Sequence, residues 1–532
     1  MAGRIKLILI MACMIILAAA FSGCHSSQKE SRTDTRNEET GSIISEETAK
    51  QEEDKEEERE VFSDFLIQLG KDNDKSNPLI THMYMADPTA VEYEGRLYVY
   101  GTNDTQQYLH DVEGKNTYEK IKSIVIISTD DMVNWTYHGI IDTEKIAPWI
   151  IASWAPSIVS RVEDDGKTHF YLYFSNSGWG TGVLTSTSPT GPWEDPLGRS
   201  LIDGNTPGLG SGVAAAFDPG VVIDDNGDAW LAFGGSASSD DPEKNYMPGG
   251  ARIVKLGKDM ISLASDIVEI PAPYHFEANE LNYINGTFVY TYCNSWASRD
   301  VWKIDGTSAP PAASMSYMTT TNPLDPDSWT YRGYYLKNPG DYGLNHSNNH
   351  THLHKYKGQY YLFYHTLELQ KRYAVNGGFR SLYVDPIEVD EETVTINRIL
   401  WPAIKGVKQI ESFDPFDTSL YSTHALSAGV SFEAMDEKGN MFVISDKEGS
   451  WVMVRGADFK DGAKEFTARV MGTGRMEIRL DDLRNGPVAE VNITDTEWKD
   501  VTITLPEAIE GEHDIYFLFI NEGISAYAWS FK

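Results

Sequence analysis

Five stretches of this 532-residue chain repeat one plan: a β-rich run, a turn ending in glycine, and an aromatic β-rich run. They read "DPTAVEYEGRLYVYGT" from Asp87, "APSIVSRVEDDGKTHFYLYFS" from Ala155, "DPGVVIDDNGDAWLAFGG" from Asp218, "EANELNYINGTFVYTYC" from Glu277 and "HTHLHKYKGQYYLFYHT" from His350. The turn pairs Glu94-Gly95, Asp165-Gly166, Asn226-Gly227, Asn285-Gly286 and Lys357-Gly358 are hairpin signals. Three units continue into a second aromatic half, "STDDMVNWTYHG", "STSPTGPWED" and "TTNPLDPDSWTYRG". Four short strands per unit, repeated five times, predict an all-β fold built on a five-bladed β-propeller.

In a propeller the innermost strand of each blade lines the central channel. Asp87, Asp218, Glu277 and His350 open that strand in four units; Ala155, preceded by Trp154, opens it in the second. An acid before a strand is often only a turn former facing water. Three acids at equivalent places of one repeat point instead to a shared site, because crowded carboxylates shift one another's pKa. Two carboxyls of different character suit glycosidic bond cleavage. One protonates the leaving oxygen, and the other activates water or attacks directly. Glu277, longer and flanked by Phe276 and Ala278, suits the proton donor. Asp87 suits holding a water, and Asp218 can raise the donor's pKa and orient it.

The net charge of −34 excludes a nucleic-acid partner, which a polyanion would repel. Arg4 and Lys6 precede the apolar run "LILIMACMIILAAAF", which ends in "FSGC" at Cys24. This resembles a bacterial lipoprotein signal over residues 1–23, with Cys24 lipidated; an ordinary secretory signal or a membrane anchor is the alternative. Residues 24–60 lack Phe, Tyr and Trp, and acids far outnumber bases, so they are expected to form a solvated tether. Cys13 leaves with the signal, which leaves Cys293 without a disulfide partner. The expected location is the cell surface, with the membrane touched only through the lipid; a secreted protein is the alternative.

At the repeat residues the chain resembles glycoside hydrolase family 43 over roughly residues 76 to 405. The motifs are "ADP", "WAPSI", "FDPGVVIDDNG", "FEA" followed by "NG", and "NNHTHLHKYKGQYYLFYH", in order. The resemblance implies a general base at Asp87, a pKa-modulating acid at Asp218 and a general acid at Glu277. Glu277 is chosen over Glu280 by the distance to Asn285. It also implies inversion, which sets the acid and base carboxyls about 6.5–9.5 Å apart. "GGFRSLYVD" implies a substrate-binding arginine at Arg380. Trp154 and Trp296 are candidate sugar platforms, with blade packing as the alternative. The alternation of His350, His352 and His354 could suggest zinc, although surface or stacking histidines are commoner. For His350 the resemblance implies a place near an axial, structural calcium held mainly by water. No cofactor is expected for the chemistry.

The repeat stops near residue 405, and residues 406–429 are expected to link to a second domain, with 61–405 forming the propeller. Residues 430–532 alternate in short strands that suggest a β-sandwich of jelly-roll type. "GADFKDGAKEFTARV" and "LFINEGISAYAWSF" look like a family-6 carbohydrate-binding module. Trp498 is expected as a core residue there. Ser525 and Tyr527 replace the usual sugar-contacting asparagine and calcium aspartate, so the module is expected to pack on the propeller rather than to bind sugar in the usual cleft.

These readings combine into an exported, monomeric inverting glycosidase that removes α-L-arabinofuranosyl residues from arabinoxylan or arabinoxylo-oligosaccharides, with terminal β-xylosyl residues as a second target. An endo-arabinanase or β-xylosidase of the same family is one rival. A non-catalytic, carbohydrate-capturing lipoprotein is the other.

Overall fold

The computed structural model describes residues 69–110, 114–460 and 462–532. The signal segment, Cys24 and the acidic tether lie outside the described residues.

From Ala86 to Pro386 the chain forms five successive antiparallel sheets. The first contains β1 (Ala86–Tyr93), β2 (Arg96–Thr102), β3 (Ser123–Thr129) and β4 (Trp135–Asp142). The second contains β5 (Trp154–Val162), β6 (Thr168–Ser175), β7 (Gly180–Ser186) and β8 (Ile202–Asp203). The third contains β9 (Gly220–Ile223), β10 (Ala229–Phe233), β11 (Arg252–Lys255) and β12 (Val268–Glu269). The fourth contains β13 (His275–Ile284), β14 (Thr287–Asn294), β15 (Met315–Thr320) and β16 (Thr330–Leu336). The fifth contains β17 (Thr351–Tyr356), β18 (Gln359–Thr366) and β19 (Ser381–Pro386).

Three of the opening hairpins close through two residues of positive φ. These are Glu94 (52°) with Gly95 (82°), Asn285 (47°) with Gly286 (76°), and Lys357 (46°) with Gly358 (83°). This turn matches the right-handed twist of the flanking strands. The other two hairpins use longer turns, in which Asp165 and Asp224 side chains accept the N–H of Lys167 and Asn226.

Because side chains alternate along a strand, each sheet offers an apolar face to both neighbours. Val91, Tyr100 and Ile126 of the first sheet pack on Ile158, Phe170 and Leu172 of the second. Tyr171 and Tyr173 meet Val221, Leu231 and Phe233 of the third. Trp230 and Ile253 meet Leu281 and Tyr290 of the fourth. Val289 and Met315 meet Leu353, Leu362 and Tyr364 of the fifth. Tyr356, Phe363 and Val384 of the fifth then pack against Leu97, Val99 and Val125 of the first.

The C-terminal residues form a six-stranded and a five-stranded sheet around Val452, Phe466, Ile478, Phe517, Trp529 and Phe531. Trp529 is buried at its core, whereas Trp498 is only partly buried. The expected core role of Trp498 is thus corrected: it lies just before its strand begins, while Trp529 lies inside the last strand with its face inward. Within 406–429, Ser419–Leu420 pairs with the last strand, Leu426–Ala428 with Ser450–Asp458, and Thr423–His424 with β4 of the first sheet. Asn134 fastens the same junction, donating to the Arg455 carbonyl at 2.9 Å and accepting its N–H at 2.8 Å.

Candidate active site

Three of the opening strands begin with a bulge. Ala86 pairs with Thr102 and Thr89 with Tyr100; Trp154 pairs with Ser175 and Ser157 with Tyr173; Glu277 pairs with Cys293 and Glu280 with Thr291. A step of three residues on one strand thus faces a step of two on its partner, the signature of one inserted residue. Asp87, Ala155 and Ala278 adopt φ of 49°, 41° and 60°, and Asp218 adopts 49° at the same place in the third unit. This register corrects the expected equivalence. Asp87 and Asp218 correspond to Ala155 and Ala278, while Glu277 lies one residue earlier, in the place of Ala86 and Trp154.

Left-handed backbone at a residue with a Cβ costs on the order of 1 kcal/mol, so it persists only where the surroundings hold it. The exposed N–H of each bulge is captured from the preceding sheet. Asp87 N–H donates to His365 Nδ1 (3.2 Å), Ala155 N–H to Thr102 Oγ1 (2.8 Å) and Asp218 N–H to Ser175 Oγ (2.8 Å). In the third sheet Gly234 and Gly235 follow β10 and offer no side chain. Asp218 itself takes the role: its Oδ2 accepts the Ala278 N–H at 2.9 Å. The glycine pair thereby recruits an acid to the residue beside Glu277.

Asp87 is buried, and its Oδ1 accepts from Arg380 Nη1 at 2.7 Å. Burial pushes this carboxyl up, but the Arg380 charge, with His365, His350 and the Thr102 hydroxyl, holds it below the ordinary aspartate value. Arg380 is held in turn by Asp104, whose two oxygens accept from Nε at 2.9 Å and Nη2 at 2.8 Å. The guanidinium also lies 4.9 Å from the centre of the Tyr118 ring. Arg380, expected to bind substrate, is thus engaged by Asp104 and Asp87 before any substrate arrives. His365 Nε2–H donates to the Asn348 carbonyl at 3.0 Å while Nδ1 accepts, which fixes a neutral ring. Burial, together with Arg380, lowers its pKa to about 3.

Glu277 retains partial access to solvent. Burial pushes its pKa up to about 8, helped by the charges of Asp218 and Asp87 and opposed by Arg380. Burial also raises Asp218; Asp87 adds to the rise, while His350, the Ala278 N–H and Ser175 oppose it. The three acids therefore act on one another's ionisation. The site holds one carboxyl kept ionised and one kept protonated near neutral pH, which is what water activation and leaving-group protonation require.

His350 Nδ1 stands 3.6 Å from Asp87 Oδ1. Next to it, His352 Nδ1 lies 3.1 Å from Glu280 Oε1, and His352 Nε2 lies 3.3 Å from His354 Nδ1. Burial lowers both His352 and His354 to about 3 and raises Glu280 well above the ordinary range, so these three groups are neutral. Among the described residues no group of three or more His, Cys, Asp and Glu side chains is arranged to hold a metal. Calcium takes roughly six to eight oxygens. Two imidazoles and one neutral carboxyl do not fit a protein-ligated calcium.

Trp154 donates its indole N–H to the Tyr118 carbonyl at 2.9 Å and sets its ring edge-on to Tyr118 at 6.0 Å. Trp296 is exposed and meets His346 edge-on at 6.1 Å. Asp104, His365, Tyr118 and Ser175 escaped the sequence reading. Only the repeat offered a signal for Ser175 and His365, since each sits near the end of an aromatic run.

The sequence model of Glycosyl hydrolases family 43 matches residues 75–394, and that of Carbohydrate binding module (family 6) matches residues 422–532. The chain belongs to glycosyl hydrolase family 43. This family 43 enzyme is 35% identical over 490 residues to an arabinoxylan arabinofuranohydrolase of Paenibacillus polymyxa, covering 87% of this chain and 75% of that protein. It is 35% identical over 481 residues to the arabinoxylan arabinofuranohydrolase of Bacillus subtilis (strain 168), covering 86% and 91%. A crystal structure of a family 43 arabinoxylan arabinofuranohydrolase from Bacillus subtilis in complex with cellotetraose superposes with a TM-score of 0.80, at 34% identity, over 87% of this chain and 98% of that one. The family 43 enzyme is therefore a glycoside hydrolase with an all-β catalytic domain and a family 6 module. In that module Trp498 meets Phe442 edge-on at 5.1 Å and Tyr527 edge-on at 6.2 Å.

Proposed function

We propose that the family 43 enzyme is an inverting α-L-arabinofuranosidase acting on arabinoxylan or its oligosaccharides, with terminal β-xylosyl residues as a second target. The observation that carries this reading is the opposite displacement of two carboxyls in one site, Asp87 downward and Glu277 to about 8. Asp87 takes a proton from water as the water attacks the anomeric carbon. Glu277 gives its proton to the glycosidic oxygen as that bond breaks, so the sugar leaves with inverted configuration. Asp218 holds Glu277's pKa up and stays tied to the Ala278 N–H. Arg380 and Asp104 keep Asp87 ionised and aimed. The choice of arabinoxylan rests on the names of the two relatives that match most of the chain.

The five sheets and the apolar clusters between them support a five-bladed propeller, with the packing of the fifth sheet on the first as its closure. An axial calcium held mainly by water near His350 is supported by the buried, unpartnered Glu280 Oε2 beside the histidines, and no step runs through it. Export, with lipid attached at Cys24 and the enzyme acting as a monomer on the cell surface, is read from the signal-like segment. Proton NMR of the first-formed sugar during digestion of arabinoxylan tests the central reading. Arabinose released first as the β-anomer is the expected result; the α-anomer, or no arabinose, defeats it.

A further inference from the structure

Residues 398–410 carry three basic side chains, Arg398, Lys405 and Lys408, and no acid, in a chain whose net charge is −34. The same stretch holds the two most exposed large apolar side chains among the described residues, Trp401 at 75% and Leu400 at 72%, with Ile404 exposed nearby. Its backbone is pinned. Ile399 N–H donates to the Tyr335 carbonyl of β16 at 2.8 Å, and the Tyr342 hydroxyl donates to the Ile399 carbonyl at 2.8 Å. Ala403 N–H donates to the Asp385 carboxyl at 2.9 Å, and Gly406 N–H to the Ala403 carbonyl at 2.6 Å. Apolar side chains held out in water in this way mark a contact surface.

The N-terminal chain enters the fold beside this stretch. Lys405 Nζ meets Asp74 at 2.8 Å, Ser76 N–H donates to the Lys405 carbonyl at 2.8 Å, and Ser76 Oγ donates to the Val407 carbonyl at 2.9 Å. Asn77 then accepts the Val384 N–H and donates to the Val384 carbonyl, both at 3.0 Å, and Leu79 N–H donates to the Leu382 carbonyl at 3.0 Å. The chain thus climbs β19 towards the acids. β19 starts next to Arg380, and Asp385, which holds Ala403, lies about 16 Å further along it at 3.3 Å per residue. The basic, apolar stretch is therefore at the end of the fifth sheet away from the acid site.

We propose that Leu400, Trp401 and Ile404, with Arg398, Lys405 and Lys408, form a docking face for the phospholipid bilayer that holds the Cys24 lipid. The inference rests on the lipid-anchor reading and not on the glycosidase one. It adds a protein contact to the lipid-only contact expected from the sequence. Indole settles at headgroup level, aliphatic side chains reach below it, and basic side chains meet phosphate. Acidic lipid repels the anionic remainder of the protein, so an acid-free stretch is where approach costs least. Attachment 45 residues before Leu69 keeps the bilayer at high effective concentration, so a weak contact suffices. Docking by this face turns the acid site away from the bilayer and towards polymer.

The test uses the full, lipidated chain in vesicles of equal parts phosphatidylcholine and phosphatidylglycerol, with an environment-sensitive thiol label on a Leu400→Cys variant. Lipid blocks the Cys24 sulfur and Cys293 is buried, so the introduced thiol takes the label. A Leu109→Cys variant is the control, at a position 70% exposed on the helix Asp104–His110 at the acid end. Brominated acyl chains are expected to quench the label at 400 by about half and the label at 109 not at all, because an interfacial apolar face sits roughly 5–10 Å into the headgroup–acyl boundary. Leu400→Ser combined with Trp401→Ser is expected to speed transfer to empty acceptor vesicles about tenfold. The urea unfolding midpoint should stay in place, since neither side chain is in the core. Equal quenching at 400 and 109 in a chain bound through Cys24 overturns the docking face and leaves the anchor reading intact. A label at 400 that responds to arabinoxylan, or to protein concentration in detergent, but not to brominated lipid assigns the face to a polysaccharide or a second copy, and also overturns the proposal. If mass spectrometry finds no lipid on Cys24, the anchor reading falls, and the docking face falls with it.

Discussion

Asp218 Oδ2 accepts the amide N–H of Ala278 at 2.9 Å, which fastens a carboxylate to the peptide unit that follows Glu277. After burial, the charge of that carboxylate is the next cause of the raised Glu277 pKa. Asp218→Asn keeps an oxygen for the N–H and removes the charge. Glu277 must be protonated to act as an acid, so activity falls as pH rises through its pKa of about 8. In the variant that limb of the kcat/KM profile is expected at lower pH, with kcat reduced about a hundredfold. A limb that stays in place would remove Asp218 from this role.

Glu277→Gln is expected to lower kcat on arabinoxylan by about 10²–10⁴-fold. An aryl glycoside with a good leaving group needs little protonation, so its loss should be far smaller. Comparing the two substrates in steady-state assays checks the assignment, and equal losses would place the proton donor elsewhere.

Arg380→Gln takes the counter-charge from Asp87. The base works only when ionised, so activity appears as pH rises through its pKa. Without Arg380 that pKa rises, and the acid limb of the profile is expected at higher pH. The same change leaves Asp104 buried without its cation. A broken buried pair costs about 3–5 kcal/mol, which a shift of the urea unfolding midpoint would record.

His82, His424 and Phe432 form a triangle of rings where the sandwich meets the first sheet, with Phe432 4.4 Å from His82 and 5.4 Å from His424, and the two histidines 5.7 Å apart. Burial lowers His424 to about 4 and His82 well below the ordinary histidine value. Both are neutral in the folded protein, whereas in the unfolded chain they bind protons below about pH 6.5. The unfolded state therefore takes up more protons as pH falls, and stability declines from about pH 6.5 down towards pH 4, by up to about 1.4 kcal/mol per pH unit for each ring. His424→Phe should flatten that slope in urea titrations at pH 7 and pH 5. An unaltered slope would show that the ring is not neutral in the fold.

Much of the architecture was legible because the repeat carries its own punctuation. Glu94-Gly95, Asn285-Gly286 and Lys357-Gly358 announce their hairpins, since the closing glycine fits a conformation most residues avoid. Asp87 and Asp218 were legible because they recur at one place in the repeat, and Glu277 because it opens the corresponding run one residue away. The one-residue offset of Glu277 was not, because a bulge leaves no mark in composition and only strand register reveals it. Asp104 was hidden for another reason: it meets Arg380 across 276 residues, from a segment with no motif of its own. Two of the sandwich's tryptophans show the limit of residue type as a guide to burial. Trp498 and Trp529 are chemically identical, and only their positions relative to the strand ends decide which one enters the core.

The short strand Thr423–His424 has a consequence for anyone who would cut this protein into parts. It lengthens the sheet that carries Asp87, yet it belongs to the segment leading into the sandwich. Cleavage upstream of it would strip β4 of its outer neighbour and leave a row of bare amide and carbonyl groups facing water. Such a fringe invites pairing with another molecule. A grafted or truncated catalytic half should therefore keep the chain through His424, or carry a charged or proline-bearing replacement along that border.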